Sequence, residues 1–334
     1  MVARSALDSE RIAMQPMRST RAAGMLVFTT LAWGAMFAVA KTALGALDAF
    51  WLSLWRYVPA ALLMVVILRV VEGRRALSFD GAGVRLWLYG SLGFAGFSIL
   101  GFLGLSQSRP EHAAIIVALM PLITSLINWA VRGQRPSPLT LGAIVVALAG
   151  VVLVITHGHL HLAAEGTLHA DAMVLAGVIC WVGYTMAAAT VPGFSALRYT
   201  AHSMALGSAS IVMVTIAATI AGVAHPPALD VVASVPVEIA YLSLIGGVLA
   251  VLAWNAGIGV LGSANGVLFI NLVPITAFAI GVAQGHRFGA AELSGVLLVV
   301  GALVVNNVAT REPRGIAQAS AKAGGIRPPA RSPA

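Results

Sequence analysis

Cysteine is almost missing from this 334-residue chain. The single one, Cys180, lies in an apolar run, so neither an intrachain disulfide nor a cysteine-based metal site can form. Charge is scarce too. Charged residues make up 10% of the chain and hydrophobic residues 59%, whereas a soluble domain carries about 25% charged residues. Mean hydropathy is +0.92. An ordinary soluble domain is therefore excluded. The apolar stretches are long and continuous rather than short and alternating, which excludes a β-barrel. Also missing are a phosphate loop, a nucleotide fingerprint and a nucleophile–base pair. The expectation is a non-enzymatic membrane protein that needs no cofactor and no ATP.

What is present is an all-α, polytopic membrane bundle. Spans need about 20 apolar residues each. Ten are read at 22–45, 49–69, 86–107, 112–131, 137–156, 171–192, 198–223, 238–260, 264–284 and 291–309. The run 239–285 carries no charged residue and is too long for one helix. Gly262, Ser263, Ala264 and Asn265 supply the turn chemistry that splits it. The stretch 1–21 holds Arg4, Asp8, Glu10, Arg11 and Arg18 without an apolar core, unlike a cleavable signal peptide. The tail 311–334, rich in Pro, Ala, Gly and basic residues, reads as disordered.

The formal charge of +8 would suit nucleic acid, but its distribution follows membrane topology instead. Sixteen of the 20 basic residues fall on one side of the ten-span layout. They sit in the N-terminal segment, the even-numbered loops and the tail. Only Arg109 and Arg287 fall in odd-numbered loops, and Lys41 and Arg56 lie inside spans. Both termini are thus expected in the cytoplasm. The expected partners are lipid and a small-molecule substrate, not nucleic acid.

The chain repeats itself. One constant shift carries Pro121 onto Pro274, Gly142 onto Gly295, Gly104 onto Gly257, Leu119 onto Leu272 and Ala149 onto Ala302. The repeats are 22–157 and 171–310, five spans each. Five is odd, so the second repeat enters the membrane from the opposite face. Inverted repeats of this kind give two exchangeable conformations with a site near the midplane between the halves.

Several segments resemble the drug/metabolite transporter superfamily, and within it the EamA family. They are Trp33-Gly34-Ala-Met-Phe37 with Lys41, Arg56 in LWRYVPAALLM, AAIIVALMPLITSLINWAVRGQ before PLTLGAIVVALAGVVLV, and GVLFINLVPITAFAIG before ELSGVLLVVGALVV. The likeness covers about 22–310. It implies ten transmembrane helices, location in a bacterial inner membrane, and outward movement of amino acids or other small metabolites. One feature departs from the family pattern. A Gly-Glu pair commonly follows the Pro-bearing span, and here those positions read Gly133-Gln134 and His286-Arg287. No role of that glutamate carries over.

Arg56 is the first candidate for substrate binding. It sits about 10 Å along a helix that begins at Ala49, a depth at which charge is costly. It reads either as a counter-charge for a substrate carboxylate or phosphate, or as a snorkelling arginine. Lys41 lies near the far boundary of its span, where snorkelling or a shared vestibule are the choices. Trp33, Trp181, Tyr184, Trp254, Asn255 and Asn271 add aromatic and amide groups within spans, to a pocket or to packing. Trp33 and Trp181 occupy matching places in the two repeats. His202 reads as a satisfied interior histidine. Pro59, Pro121 and Pro274 are candidate gating points or plain kinks.

No Asp or Glu falls mid-span; Asp48, Glu111, Glu238 and Glu292 flank helix ends. Conventional carboxylate proton coupling therefore has no obvious residue. His157, His159, His161 and His169 share a loop that lacks cysteine or a carboxylate cluster and reads as solvated, not metal-binding. The resulting expectation is a secondary transporter exporting amino acids or small metabolites by alternating access. Efflux of hydrophobic or cationic drugs is the alternative, disfavoured by the basic residues within the membrane.

Overall fold

Residues 2–158, 168–261 and 267–309 are described in a computed structural model of the chain. The turn expected at Gly262–Asn265, the tail 311–334, His159 and His161 lie outside the described residues. Ten helical segments follow in order: α1 (Val2–Ala43), α2 (Ala49–Val71), α3 (Gly83–Gln107), α4 (Pro110–Ala118 and Met120–Arg132), α5 (Pro138–Thr156), α6 (Leu168–Ala187), α7 (Ala196–Ile220), α8 (Pro236–Leu261), α9 (Leu272–Ala283) and α10 (Ala290–Ala309). Eight of them, all but α4 and α9, are long and apolar enough to cross a membrane. The membrane-crossing part of α1 begins at Ser19. The chain is a multi-pass membrane protein.

The two exceptions follow from the repeated proline. Pro121 has no N–H, and its ring opposes the carbonyl four residues back, so a helix cannot run through it undisturbed. The expected span 112–131 is accordingly two helices bent by 46°. Pro274 falls in the first turn of α9, where a missing N–H costs nothing, and a 3₁₀ stretch (Val267–Asn271) precedes it. Pro59 sits inside an unbroken α2. The carbonyl it cannot bond, that of Trp55, accepts the Ser243 hydroxyl of α8 at 3.1 Å instead.

Apolar side chains such as Leu62, Val66, Val70, Val145 and Leu297 point outward. Several buried hydroxyls bond helix to helix, which suits a bundle surrounded by lipid. Thr29 donates to the Ala250 carbonyl, Ser208 to that of Tyr57, and Ser98 to Ser53.

The packing is two-fold in pattern. α3 packs along α6 and α8 along α1, while α5 pairs with α10 and α2 with α7. Exchanging the halves maps this set onto itself. The details repeat too. Gly104 lies against the Ala170 carbonyl and Val174, and Gly257 against the Ala22 carbonyl and Leu26. The shift that carries Trp33 to Trp181 also carries Ala22 to Ala170 and Leu26 to Val174. So the start of α1 meets the end of α8 at one end of the bundle, and the start of α6 meets the end of α3 at the other. These are called below the near end, where α1 starts, and the far end, where it finishes.

Candidate functional site at the centre of the bundle

Two apolar clusters fill the bundle, and a cavity of about 50 Å³ lies at their seam. Both halves line it. Aromatic rings (Trp33, Phe37, Tyr57, Phe94, Phe97, Trp181) and methionines (Met36, Met120, Met204) make most of its wall. It has room for a few waters, well short of the roughly 300–1,000 Å³ of a small-molecule pocket.

Two unusual turns shape this wall. α3 widens to π-helix at Ser91–Gly96, and α8 does so at Tyr241–Leu249. The repeat shift places Phe94 opposite Gly247 and Gly93 opposite Gly246. Phe94, Gly246 and Gly247 all line the cavity. Single π turns concentrate at functional sites because they displace a side chain from helical register. Nothing in the residue pattern announces them, since an extra residue per turn costs an apolar run no change of composition.

Arg56 supplies the charge. It is only 4% exposed and lines the cavity. Its Nη2 donates to the Met36 sulfur at 3.0 Å, while Nε and Nη1 have no hydrogen-bond partner. The guanidinium lies 4.6 Å from the Tyr57 ring centre and 5.5 Å from that of Phe102. Among the described residues no carboxylate pairs with it. A buried cation with idle donors is expensive unless an anion meets it.

The structure brings Trp33 and Trp181 to this cavity together. The indole N–H of Trp33 donates to the Gly246 carbonyl at 3.2 Å, and its ring lies 5.3 Å from Trp254. Tyr184 stands behind Trp181, with ring centres 5.3 Å apart, and its hydroxyl meets Ser203 at 3.1 Å. Asn271 is buried between the lining residues Ile270 and Val273, its Oδ1 without a partner. Asn255 is half-buried on α8 and does not line the cavity. Met120, beside Pro121, and Val273, beside Pro274, do line it, whereas Pro59 does not.

Lys41 lies elsewhere. Its ammonium donates to the carbonyls of Leu105, Ser106 and Ser108 at 2.8–2.9 Å and so caps the end of α3. It lines a separate far-end hollow of about 550 Å³ with Ser108, Arg109, His112, His157 and His286. Around that hollow Glu111, Asp171 and Glu292 are buried. Glu292 meets Arg109 at 3.0 Å and His157 at 3.1 Å, Glu111 meets His286 at 2.9 Å, and Asp171 meets His112 at 3.4 Å. The sequence marks Glu111 and Glu292 as flanking helix ends. Their convergence depends on how four helix ends meet, which spacing along the chain does not encode. No group of His, Cys, Asp and Glu suited to a metal occurs among the described residues.

The near end closes with different chemistry. Arg198 of α7 reaches across to the Ala76 and Ser78 carbonyls at 3.0 and 2.6 Å and to Asp80 at 2.7 Å. The Ser78 hydroxyl and Arg198 hold the Asp80 carboxyl below its ordinary range. His202 is buried, its Nε2 2.8 Å from the Ala76 carbonyl.

Comparison with known proteins agrees with this architecture. A solved crystal structure matches with a TM-score of 0.60 at 19% identity, covering 88% of this chain and 99% of the other, a likeness of fold. An uncharacterized transporter of Bacillus subtilis, YrdR, is 33% identical over 288 residues, 85% of this chain and 90% of its own length. A probable terminal-alkyne amino-acid exporter of Streptantibioticus cattleyicolor is 22% identical over 265 residues, 79% of this chain and 85% of its own. The profile of the EamA-like transporter family matches twice, at residues 20–156 and 168–308. With both repeats matched, the chain belongs to the EamA-like transporter family.

Proposed function

We propose that the protein is a secondary transporter that exports amino acids or other small organic acids across the bacterial inner membrane by alternating access. Both termini then face the cytoplasm, and the repeats 22–157 and 171–310 are the moving units. The carrying observation is Arg56, a buried guanidinium with two idle donors on a cavity shared by both halves. A substrate carboxylate would supply the missing acceptor. The aromatic and thioether wall suits an apolar side chain beside it. The cavity is too small for such a substrate as it stands, in keeping with a state closed between two open ones. The distant relative named as an amino-acid exporter supports the same class. The aromatic wall alone would also suit hydrophobic drugs, but the unpaired cation weighs against cationic ones.

The test is a thermal-shift screen of purified protein against amino acids, organic acids and cationic dyes. A ligand of the folded state raises its apparent stability by mass action. Stabilisation by an amino or organic acid, lost in Arg56→Ala together with uptake into liposomes, is the expected result. Stabilisation by cationic dyes only, or flux untouched by Arg56→Ala, would overturn the reading.

A further inference from the structure

Every ion pair in the far-end cluster but one joins the two halves. Arg109 and His157 from the first half meet Glu292 from the second, Glu111 meets His286, and His112 meets Asp171. The exception is Arg109 with Glu111, neighbours on α4. Among these pairs, His112–Asp171 is the one in which both members are buried, at 2% and 3% exposure. Ser108 Oγ donates to Asp171 Oδ1 at 2.5 Å. His112 Nδ1 faces Asp171 Oδ2 at 3.4 Å, and the far ring nitrogen, Nε2, has no partner. With the proton on Nδ1, Nε2 keeps a bare lone pair. His112 and Ser108 both line the far-end hollow, so water has a route to the pair.

We propose that His112 and Asp171 form a proton-binding site that joins the two halves, and that its occupancy controls how readily the far end opens. A proton taken from water in the hollow adds to His112 Nε2. The neutral ring becomes an imidazolium beside the Asp171 carboxylate, and the attraction between α4 and α6 strengthens. Release of that proton leaves a neutral ring against a carboxylate, and the junction loosens. Histidine changes charge between about pH 5 and 8, so closure of this end follows acidity.

The surroundings set the background. From α1, Lys41 reaches the Ser108 carbonyl. From α4 come Arg109 and Glu111. From the end of α5 comes His157, its ring centre 6.1 Å from that of His112. From α6 comes His169, bonded to Gln107 at 2.8 Å. Before and on α10 are His286 and Glu292. The side chains of His157 and His286 are 37% and 41% exposed. Among the described residues the near end, held by Arg198 and backbone carbonyls, has no buried histidine–carboxylate ion pair; its buried His202 meets the Ala76 carbonyl.

The proposal rests on the halves moving and not on the identity of the cargo, so its test uses neither cargo nor flux. Spin labels go at Ala46 on the α1–α2 turn and Leu168 at the start of α6, both exposed, in full-length protein with Cys180→Ala. The distance between them is measured by pulsed electron spin resonance from pH 8 to pH 5. The expected result is growth of the short-distance population on acidification. That response falls at least about twofold in His112→Gln and in Asp171→Asn, each of which removes the imidazolium–carboxylate pair. It survives in His157→Gln and His286→Gln. Asp171→Asn is close in shape to the native residue and carries the test should His112→Gln fail to fold. A distance that does not vary with pH, or a response as large in both His112→Gln and Asp171→Asn as in the parent, overturns the proposal.

Discussion

Gly150 on α5 and Gly295 on α10 interlock: a Cβ on either would lie 2.5–2.6 Å from the carbonyl oxygen of the other. That approach fixes the spacing of the two helices that end the repeats. Val at either position forces them apart and lowers stability by about 1–3 kcal/mol. Gly142, the repeat counterpart of Gly295, has open space around it, so Gly142→Ala is neutral or mildly stabilising. Thermal unfolding of the three variants in detergent checks both statements.

Arg56 separates stability from function. Replacing a buried, unpaired cation with an apolar side chain of similar length relieves a desolvation cost. Arg56→Met is therefore expected to be as stable as the parent, or more so by about 1–4 kcal/mol, while losing all stabilisation by carboxylate ligands. Unfolding with and without ligand checks this. A variant that unfolds early would make Arg56 a structural residue.

Lys41 should behave in the opposite way. Its three bonds to carbonyls at the end of α3 make it a capping residue. Lys41→Met leaves those carbonyls short of a charged donor and costs about 1.5–3 kcal/mol. Ligand-induced stabilisation of the remaining folded protein is expected to be unchanged. Unfolding curves at several ligand concentrations measure both quantities.

The near-end latch has its own pH dependence. The Asp80 carboxyl is depressed by Ser78 and Arg198, so its contribution is full above the ordinary Asp value of about 4. It is lost only as pH falls through the depressed value. The part of Asp80 in the latch is thus constant between about pH 5 and 8. Asp80→Asn should loosen it equally across that range. Labelling of a cysteine placed at the buried Ala82, in a Cys180→Ala background, checks this.

Much of the fold could be read from residue order. The positions of Pro121 and Pro274 mark the repeat; a 46° bend adjoins the first and a 3₁₀ stretch precedes the second. Trp33 and Trp181 were paired by place in the repeats and share one cavity. Arg56 stood out because charge is rare in an apolar run. Other features were hidden for physical reasons. Gly142 and Gly295 are equivalent in sequence, yet only one lies in a tight contact, because packing and not composition decides which glycine is crowded. Glu111, Asp171 and Glu292 sat at helix ends, where acids are commonplace. Only the meeting of those ends buries them beside histidines.

The two π turns carry a last consequence. A π turn holds one residue more than an α turn, so everything beyond it is rotated by about 100° from where an uninterrupted helix would place it. Gly104, beyond the first π stretch, meets Val174, and Gly257, beyond the second, meets Leu26. Removing one residue within Ser91–Gly96 or Tyr241–Leu249 would therefore restore α geometry and leave the Gly104 and Gly257 contacts in place, whereas removing one between the π stretch and either glycine would turn that glycine away.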